Sequence, residues 1–270
     1  MRDRVFVMVL AAAVLGAAVS AAAESEAPAP AVSAAPAPAE TPAQLLARVD
    51  AQRRVSDFTF VMQMTSFDGE KPAEAQTIWG FIKGVGSTSR SLVAFADPAS
   101  VKGRKLLMDG PIVYLLFPRT TNPIRLSPLQ VLLGQASNGD VVRTAFSDDY
   151  DVASVADDVR GSAACYRFSL TIKAARADAS YRQVTLWVDK EHLRPVYAEF
   201  STGDKLLKRA TYSDYRGVLG REIPFSVDIH DADNPQKHTI MTYLKVGQKP
   251  MPDTVFHREY LPSWVPEQPR

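Results

Sequence analysis

The chain has 270 residues, with 31 basic and 30 acidic side chains and a formal net charge of +1; without its first 23 residues, which hold Arg2, Asp3 and Arg4, it keeps 29 of each sign. A neutral balance offers nucleic acid no electrostatic footprint and gives no global attraction to an anionic lipid surface. The single cysteine, Cys165, excludes an internal disulfide framework.

Arg2 and Arg4 precede an uncharged apolar run over residues 5–19, and Ala21-Ala22-Ala23 follows it. That order predicts an export signal (residues 1–23) cleaved after Ala23. The run is shorter than the roughly 20 residues a membrane-spanning helix needs. Residues 24–41 are dominated by Ala, Pro, Ser and Glu, with too little apolar surface to order a chain, and are expected to be a disordered linker.

Thr41-Pro42 has the form of a helix start, Thr as N-cap and Pro in the first turn. Leu45, Leu46, Val49 and Val55 recur near helical spacing, with Arg48, Asp50, Gln52 and Arg53 assigned to the other side. One amphipathic helix is predicted from Pro42 to about Arg54.

From Phe58 the period changes to two. Phe58, Phe60, Met62 and Met64 alternate with Thr59, Val61, Gln63 and Thr65; Tyr166, Phe168, Leu170 and Ile172 alternate in the same way, as do Ile223, Phe225, Val227 and Ile229. These read as strands with one apolar face. Further strands are predicted over 76–83, 89–96, 102–108, 112–117, 183–188, 196–201, 206–213 and 239–246. Turn residues separate them at Asp68-Gly69, Asp109-Gly110-Pro111, Thr202-Gly203-Asp204 and Asp231 to Pro235. Many short strands with little helix between them predict an antiparallel meander that curls into a barrel or part of one. Cys165 heads one alternating run and reads as a small buried hydrophobe. Residues 127–134 carry a capping Ser, Pro128 and a closing Gly134, which predicts a short helix with Leu129, Leu132 and Leu133 on one face. It would either plug one end of the sheet or move as a lid.

Signals of chemistry are sparse. There is no Gly-x-Ser-x-Gly elbow and no phosphate loop. The histidines at 192, 230, 238 and 257 are scattered, with no helical ligand spacing, so no metal site is expected. Asp231, Asp233 and Asn234 open like a calcium loop but lack its glycine and closing glutamate, and read as a solvated hairpin turn. The adjacent pairs Asp148-Asp149 and Asp157-Asp158 are assigned to loops. No catalysis and no cofactor are expected; a hydrolase is the remote alternative. What is abundant is large apolar side chain: Met62, Met64, Trp79, Phe81, Phe95, Phe168 and Phe225 all fall on predicted strands, where they fill a core or line a ligand cavity.

Phe95-Ala96-Asp97-Pro98-Ala99-Ser100-Val101-Lys102-Gly103, then Val184 to Lys190 and Pro195 to Phe200, resemble segments of the bacterial outer-membrane lipoprotein-sorting, LolA-like family. Lys205 to Lys208, Tyr212-Ser213-Asp214-Tyr215, Ile223-Pro224 and Asp253 to Phe256 extend the resemblance over residues 42–261, leaving 262–270 as a tail. It implies a curved antiparallel sheet forming an incomplete, half-open β-barrel capped by helices. It also implies a monomeric periplasmic carrier of lipoprotein acyl chains or a related lipid, with an inner-membrane donor complex and an outer-membrane acceptor as partners. The cavity candidates are Phe58, Phe60, Met62, Met64, Phe225 and Val227 on strands, Leu45, Leu46 and Val49 on the first helix, and Leu129, Leu132 and Leu133 in the crossing segment. A non-enzymatic lipid-sensing adaptor of the same fold is the alternative. One departure is local: many members of the family carry an Arg-rich stretch followed by a Gly-Ser-Asp-Phe motif in mid-chain, where this chain has Pro118, Arg119 and Arg125, then Gly134 to Asp140.

Overall fold

The computed structural model describes residues 40–84, 90–109, 112–127, 130–137, 140, 145–176 and 181–268. The expected signal segment, all but the end of the expected linker, and Leu129 lie outside them.

Helix α1 (Pro42–Arg53) starts as its sequence dictates. Thr41 Oγ1 accepts from Gln44 N, and Gln44 Oε1 accepts from Thr41 N, a complete capping box with Pro42 in the first turn. Leu45, Leu46 and Val49 are buried, and so is Asp50, which the helical spacing had put on the polar side. The reason is a second cover. A one-turn helix, α2 (Phe146–Asp149), packs on α1, and its Ser147 N donates to Asp50 Oδ2 at 2.7 Å.

The strands run in one antiparallel meander broken in the middle. Strands β1 (Phe58–Asp68), β2 (Lys71–Lys83), β3 (Arg90–Asp97), β4 (Lys105–Asp109), β5 (Ile112–Leu116) and β6 (Ile124–Leu126) form the first half. A two-stranded hairpin follows, β7 (Val131–Leu133) with β8 (Ala136–Ser137). The second half comprises β9 (Tyr150–Arg160), β10 (Ala163–Ile172), β11 (Gln183–Asp189), β12 (Pro195–Thr202), β13 (Lys205–Val218), β14 (Arg221–Asp231) and β15 (Lys237–Gln248). The last strand returns to pair with the first, so thirteen strands make one sheet with order 6-5-4-3-2-1-15-14-13-12-11-10-9. Strands β6 and β9 are its edges. The sheet is strongly curved and not closed, the half-open barrel that the resemblance implied.

Three sequence expectations are corrected. Residues 131–137 form a hairpin, not a helix: Leu132 and Leu133 lie on β7, and Leu133 pairs with Ala136. Glycine at 134 serves a turn with φ of +52°, rather than a helix stop, and a Cβ there would fall 2.4 Å from Thr239 Oγ1. Thr239 in turn accepts from Gln135 N at 2.7 Å, so the hairpin tip is pinned against the sheet. Asp157-Asp158 sit on edge strand β9, and Asp148-Asp149 form half of α2. Strand β9 escaped notice because it is an edge with little buried surface, and its alternation is weak.

The inner face of the sheet holds a large apolar cluster under α1. Across β2 to β5 the outer face is buried too. Phe81, Leu92, Leu107 and Leu116 face outward beneath the C-terminal segment, whose Val255, Phe256, Leu261 and Trp264 complete a second cluster. Lys105 Nζ donates to the carbonyls of Leu261, Pro262 and Trp264, and Lys83 and Arg90 both pair with Asp253. The packed unit therefore continues past Leu261 to Trp264, which is 5% exposed.

Candidate functional site

Eleven of the cavity candidates fall within the described residues, and the fold brings them to one place. Phe58, Phe60, Met62, Met64, Phe225, Leu133, Leu45, Leu46 and Val49 are buried members of the inner cluster, and Val227 and Leu132 pack against it. Strand β1 supplies four of them because its alternate residues share the inner face. Strand β14, two places along the sheet, supplies Phe225 and Val227. Tyr243 on the intervening β15 binds the group together, edge-on to Phe58, Phe60 and Phe225 at 5.3–5.9 Å between ring centres. Such contacts add to plain area burial.

A polar group sits inside this apolar surface. Arg53 Nη2 donates to Asp50 Oδ1 at 2.9 Å, and the Asp50 side chain has no exposure at all. The guanidinium stacks over Phe146, 5.1 Å from the ring centre. Burial raises the phenols of Tyr212 and Tyr215 well above their ordinary range and pushes Tyr243 up to about 12, with the Arg53 charge opposing the shift at each. These tyrosines stay neutral at any physiological pH, and Asp50 supplies the counter-charge to the buried Arg53.

Tyr212 and Tyr215 share the inner side although they are three residues apart, which period two forbids. Asp214 takes a left-handed backbone, φ of 53°, and falls out of the pairing with β14 between Ser213 and Tyr215. Phe225 opposite it is also unpaired and the register is unchanged on both sides, so the left-handed residue at Asp214 interrupts the regular alternation without inserting an extra residue. The two rings lie beside an opening of about 560 Å³ lined by Ala164, Asp189, Lys190, Arg194 and Val196. An adjoining opening of about 440 Å³ runs under α1 between Arg48, Gln52, Tyr166, Leu193 and Glu222. Both volumes lie in the range of small-molecule sites. Neither is lined by Met62 or Met64, which are buried in the inner cluster.

At the other end the crossing segment is tied down by Asp140. Its carboxylate accepts from Ser137 N and Oγ at 2.8 Å, from Tyr181 Oη at 2.9 Å and from Lys208 Nζ at 3.0 Å. Ser137 is fully buried, so this Ser-Asp-Lys grouping anchors β8 to β13 and presents no reactive hydroxyl to solvent. Cys165 is also buried, and burial pushes its thiol up.

Sequence reasoning missed Asp50, Arg53 and the tyrosines. The helix signal was present, since Asp50 and Arg53 are spaced i, i+3. What buries them is α2, and nothing in residues 42–54 announces it.

Among the described residues no helix is long and apolar enough to cross a membrane. A family model described as "-like: Uncharacterized protein" matches residues 87–263. No curated protein matches the chain. Among solved structures, the chain is similar to a LolA superfamily protein from Nitrosomonas europaea, with 28% identity and a TM-score of 0.72 over 80% of this chain and 97% of that one. It is also similar to a domain named as a candidate outer membrane lipoprotein-sorting protein from Vibrio parahaemolyticus, with 16% identity and a TM-score of 0.71 over 81% and 97%. A DUF1329 family protein from Desulfovibrio piger gives 20% identity and 0.69 over the same shares.

Proposed function

We propose a function from one premise, that this chain belongs to the family matched over residues 87–263 and has the fold of the LolA superfamily: it is a non-enzymatic periplasmic carrier that holds the acyl chains of a lipoprotein or related lipid against the inner face of its sheet. The observation that carries this reading is the inner cluster itself. Two halves of one open sheet converge on Phe58, Phe60, Met62, Met64, Phe225 and Tyr243, and α1 contributes Leu45, Leu46 and Val49 to the same cluster.

The physics of the cargo fits that surface. Each methylene withdrawn from water contributes about 0.8 kcal/mol, so an acyl chain binds strongly to an apolar interior without any specific polar contact. Methionine adapts to irregular apolar guests. In the closed arrangement Leu45, Leu46 and Val49 occupy the place an acyl chain would take, and α1 is the element that moves aside. The openings beside Tyr212 and Tyr215 give the route inward, between α1 and the turns joining β9 to β10 and β11 to β12. Loading and release are then conformational, made by a donor at the inner membrane and an acceptor at the outer membrane. The export signal over residues 1–23, with cleavage after Ala23, and the Ala/Pro-rich linker over 24–41 belong to the same proposal, as does action as a monomer.

Native mass spectrometry of protein extracted from periplasm tests this reading. A lipid adduct that survives gentle desolvation and dissociates on activation supports it, and the bare mass of the mature chain alone counts against it.

A further inference from the structure

Two of the four histidines scattered along the sequence meet on the outer face of β14 and β15. Register places His230 directly opposite His238, and Asp228, two residues before His230, shares their face. The imidazole rings stack at 4.6 Å, only 5° from parallel, and Phe67 of β1 stacks on His238 at 4.7 Å. Asp228 Oδ2 is 3.0 Å from His230 Nε2, and its Oδ1 is 2.8 Å from His238 Nδ1. One ligand atom from each residue lies within 4.8 Å of the others, and all three residues are half-buried.

A further contact concerns the second nitrogen of His230. Its Nδ1 lies 2.7 Å from the carbonyl oxygen of Pro235. A carbonyl only accepts, so Nδ1 carries a hydrogen, and in the neutral ring Nε2 turns its lone pair toward the carboxylate. An imidazole held from behind by a backbone carbonyl through its second nitrogen is the outer-shell arrangement of metal-ligating histidines.

We propose that Asp228, His230 and His238 form a binding site for a divalent zinc-class cation. Two imidazole nitrogens and one carboxylate oxygen suit zinc, and they suit neither calcium nor magnesium, which take oxygen ligands. Side-chain exposures of 17–32% leave the site open to solvent, so water completes the tetrahedron. Arg209 of β13 is paired in register with His230; its charge is turned toward Glu199 at 3.7 Å and the Ala232 carbonyl at 3.1 Å. Ile229 and Met241, on the opposite face, belong to the inner cluster, so the site is separate from the interior and independent of its cargo.

The test uses tag-free mature chain, stripped with a chelator and titrated with zinc chloride against a chromophoric competitor. One zinc per chain is expected, with affinity reduced about tenfold or more by His230→Ala, His238→Ala and Asp228→Asn and unchanged by His192→Ala and His257→Ala. Absence of saturable binding, or binding that survives all three substitutions, overturns the proposal. Should a variant fail to fold, cobalt added to the wild-type chain decides the matter. A tetrahedral visible spectrum with exactly two imidazoles paramagnetically shifted in NMR supports the site, and any other count refutes it.

Discussion

The ring of Phe60 lies on Gly80 of the neighbouring strand, its direct partner in register, so closely that a Cβ built at Gly80 would fall 1.9 Å from Phe60 Cζ. Glycine in mid-strand ordinarily weakens a sheet; here it makes room for a fully buried phenyl ring of the inner cluster. Gly80→Ala therefore forces the ring out of the cluster. We expect a loss of about 1–3 kcal/mol, the usual cost of overpacking, seen as a lower urea midpoint at unchanged slope. An unchanged or higher midpoint would mean that the ring has space to move.

Helix α1 is predicted to be docked, not merely adjacent. Leu46 is 1% exposed, and Leu46→Ala in a packed interior costs about 2–5 kcal/mol. Thermal unfolding of the variant measures this. An unchanged melting temperature would undock the helix and remove the closed state on which the carrier reading depends.

The Asp50–Arg53 pair makes a separate prediction. Asp50→Asn leaves the Arg53 guanidinium buried beside Phe146 without its counter-charge, and breaking such a pair from one side costs about 3–5 kcal/mol. The double variant Asp50→Leu/Arg53→Met removes both charges, and much of the loss should return. Equal destabilisation in the single and double variants would show that the Ser147 contact, not the ion pair, is what matters.

Acid is expected to loosen the C-terminal cover before the sheet. Hydrogen bonds from Lys83 and Arg90 hold the Asp253 carboxyl below its ordinary value, whereas in an unfolded chain it titrates near 3.9. A lowered folded-state value means that the contribution is fully present above pH of about 4 and is lost as the pH falls through the folded-state value. Trp264 fluorescence, in a Trp79→Phe/Trp187→Phe background, should report release on acidification. Asp253→Asn should weaken the cover near neutrality and flatten its acid dependence; an acid profile identical to wild type would assign the cover to apolar contacts alone.

Most of the strands and α1 were legible because their signals are local. Capping at Thr41-Pro42 and alternation through Phe58 to Met64 or Ile223 to Ile229 need no knowledge of the rest of the chain. The misreadings came where distant partners decide. The 127–134 segment had helix punctuation, yet Thr239 and Ser66 select a hairpin turn at Gly134. Asp50 looked solvent-facing because α2 lies about 100 residues away. Tyr212 and Tyr215 were separated by a period that the left-handed backbone at Asp214 interrupts. His230 and His238 seemed unrelated at eight residues' spacing, which is what a hairpin needs to set them face to face.

The central claim is that this interior opens to an acyl chain, and a fluorescent fatty acid titrated into the mature chain tests it most directly. The carrier account predicts saturable one-to-one binding with a blue-shifted emission, weakened at least tenfold by Met64→Trp, which fills the inner face while the circular dichroism spectrum stays that of the folded sheet. No saturable binding to the wild-type chain, with Met64→Trp merely losing the roughly 1–3 kcal/mol of an overpacked core, would contradict it: the inner face would then be a packed core that admits no guest.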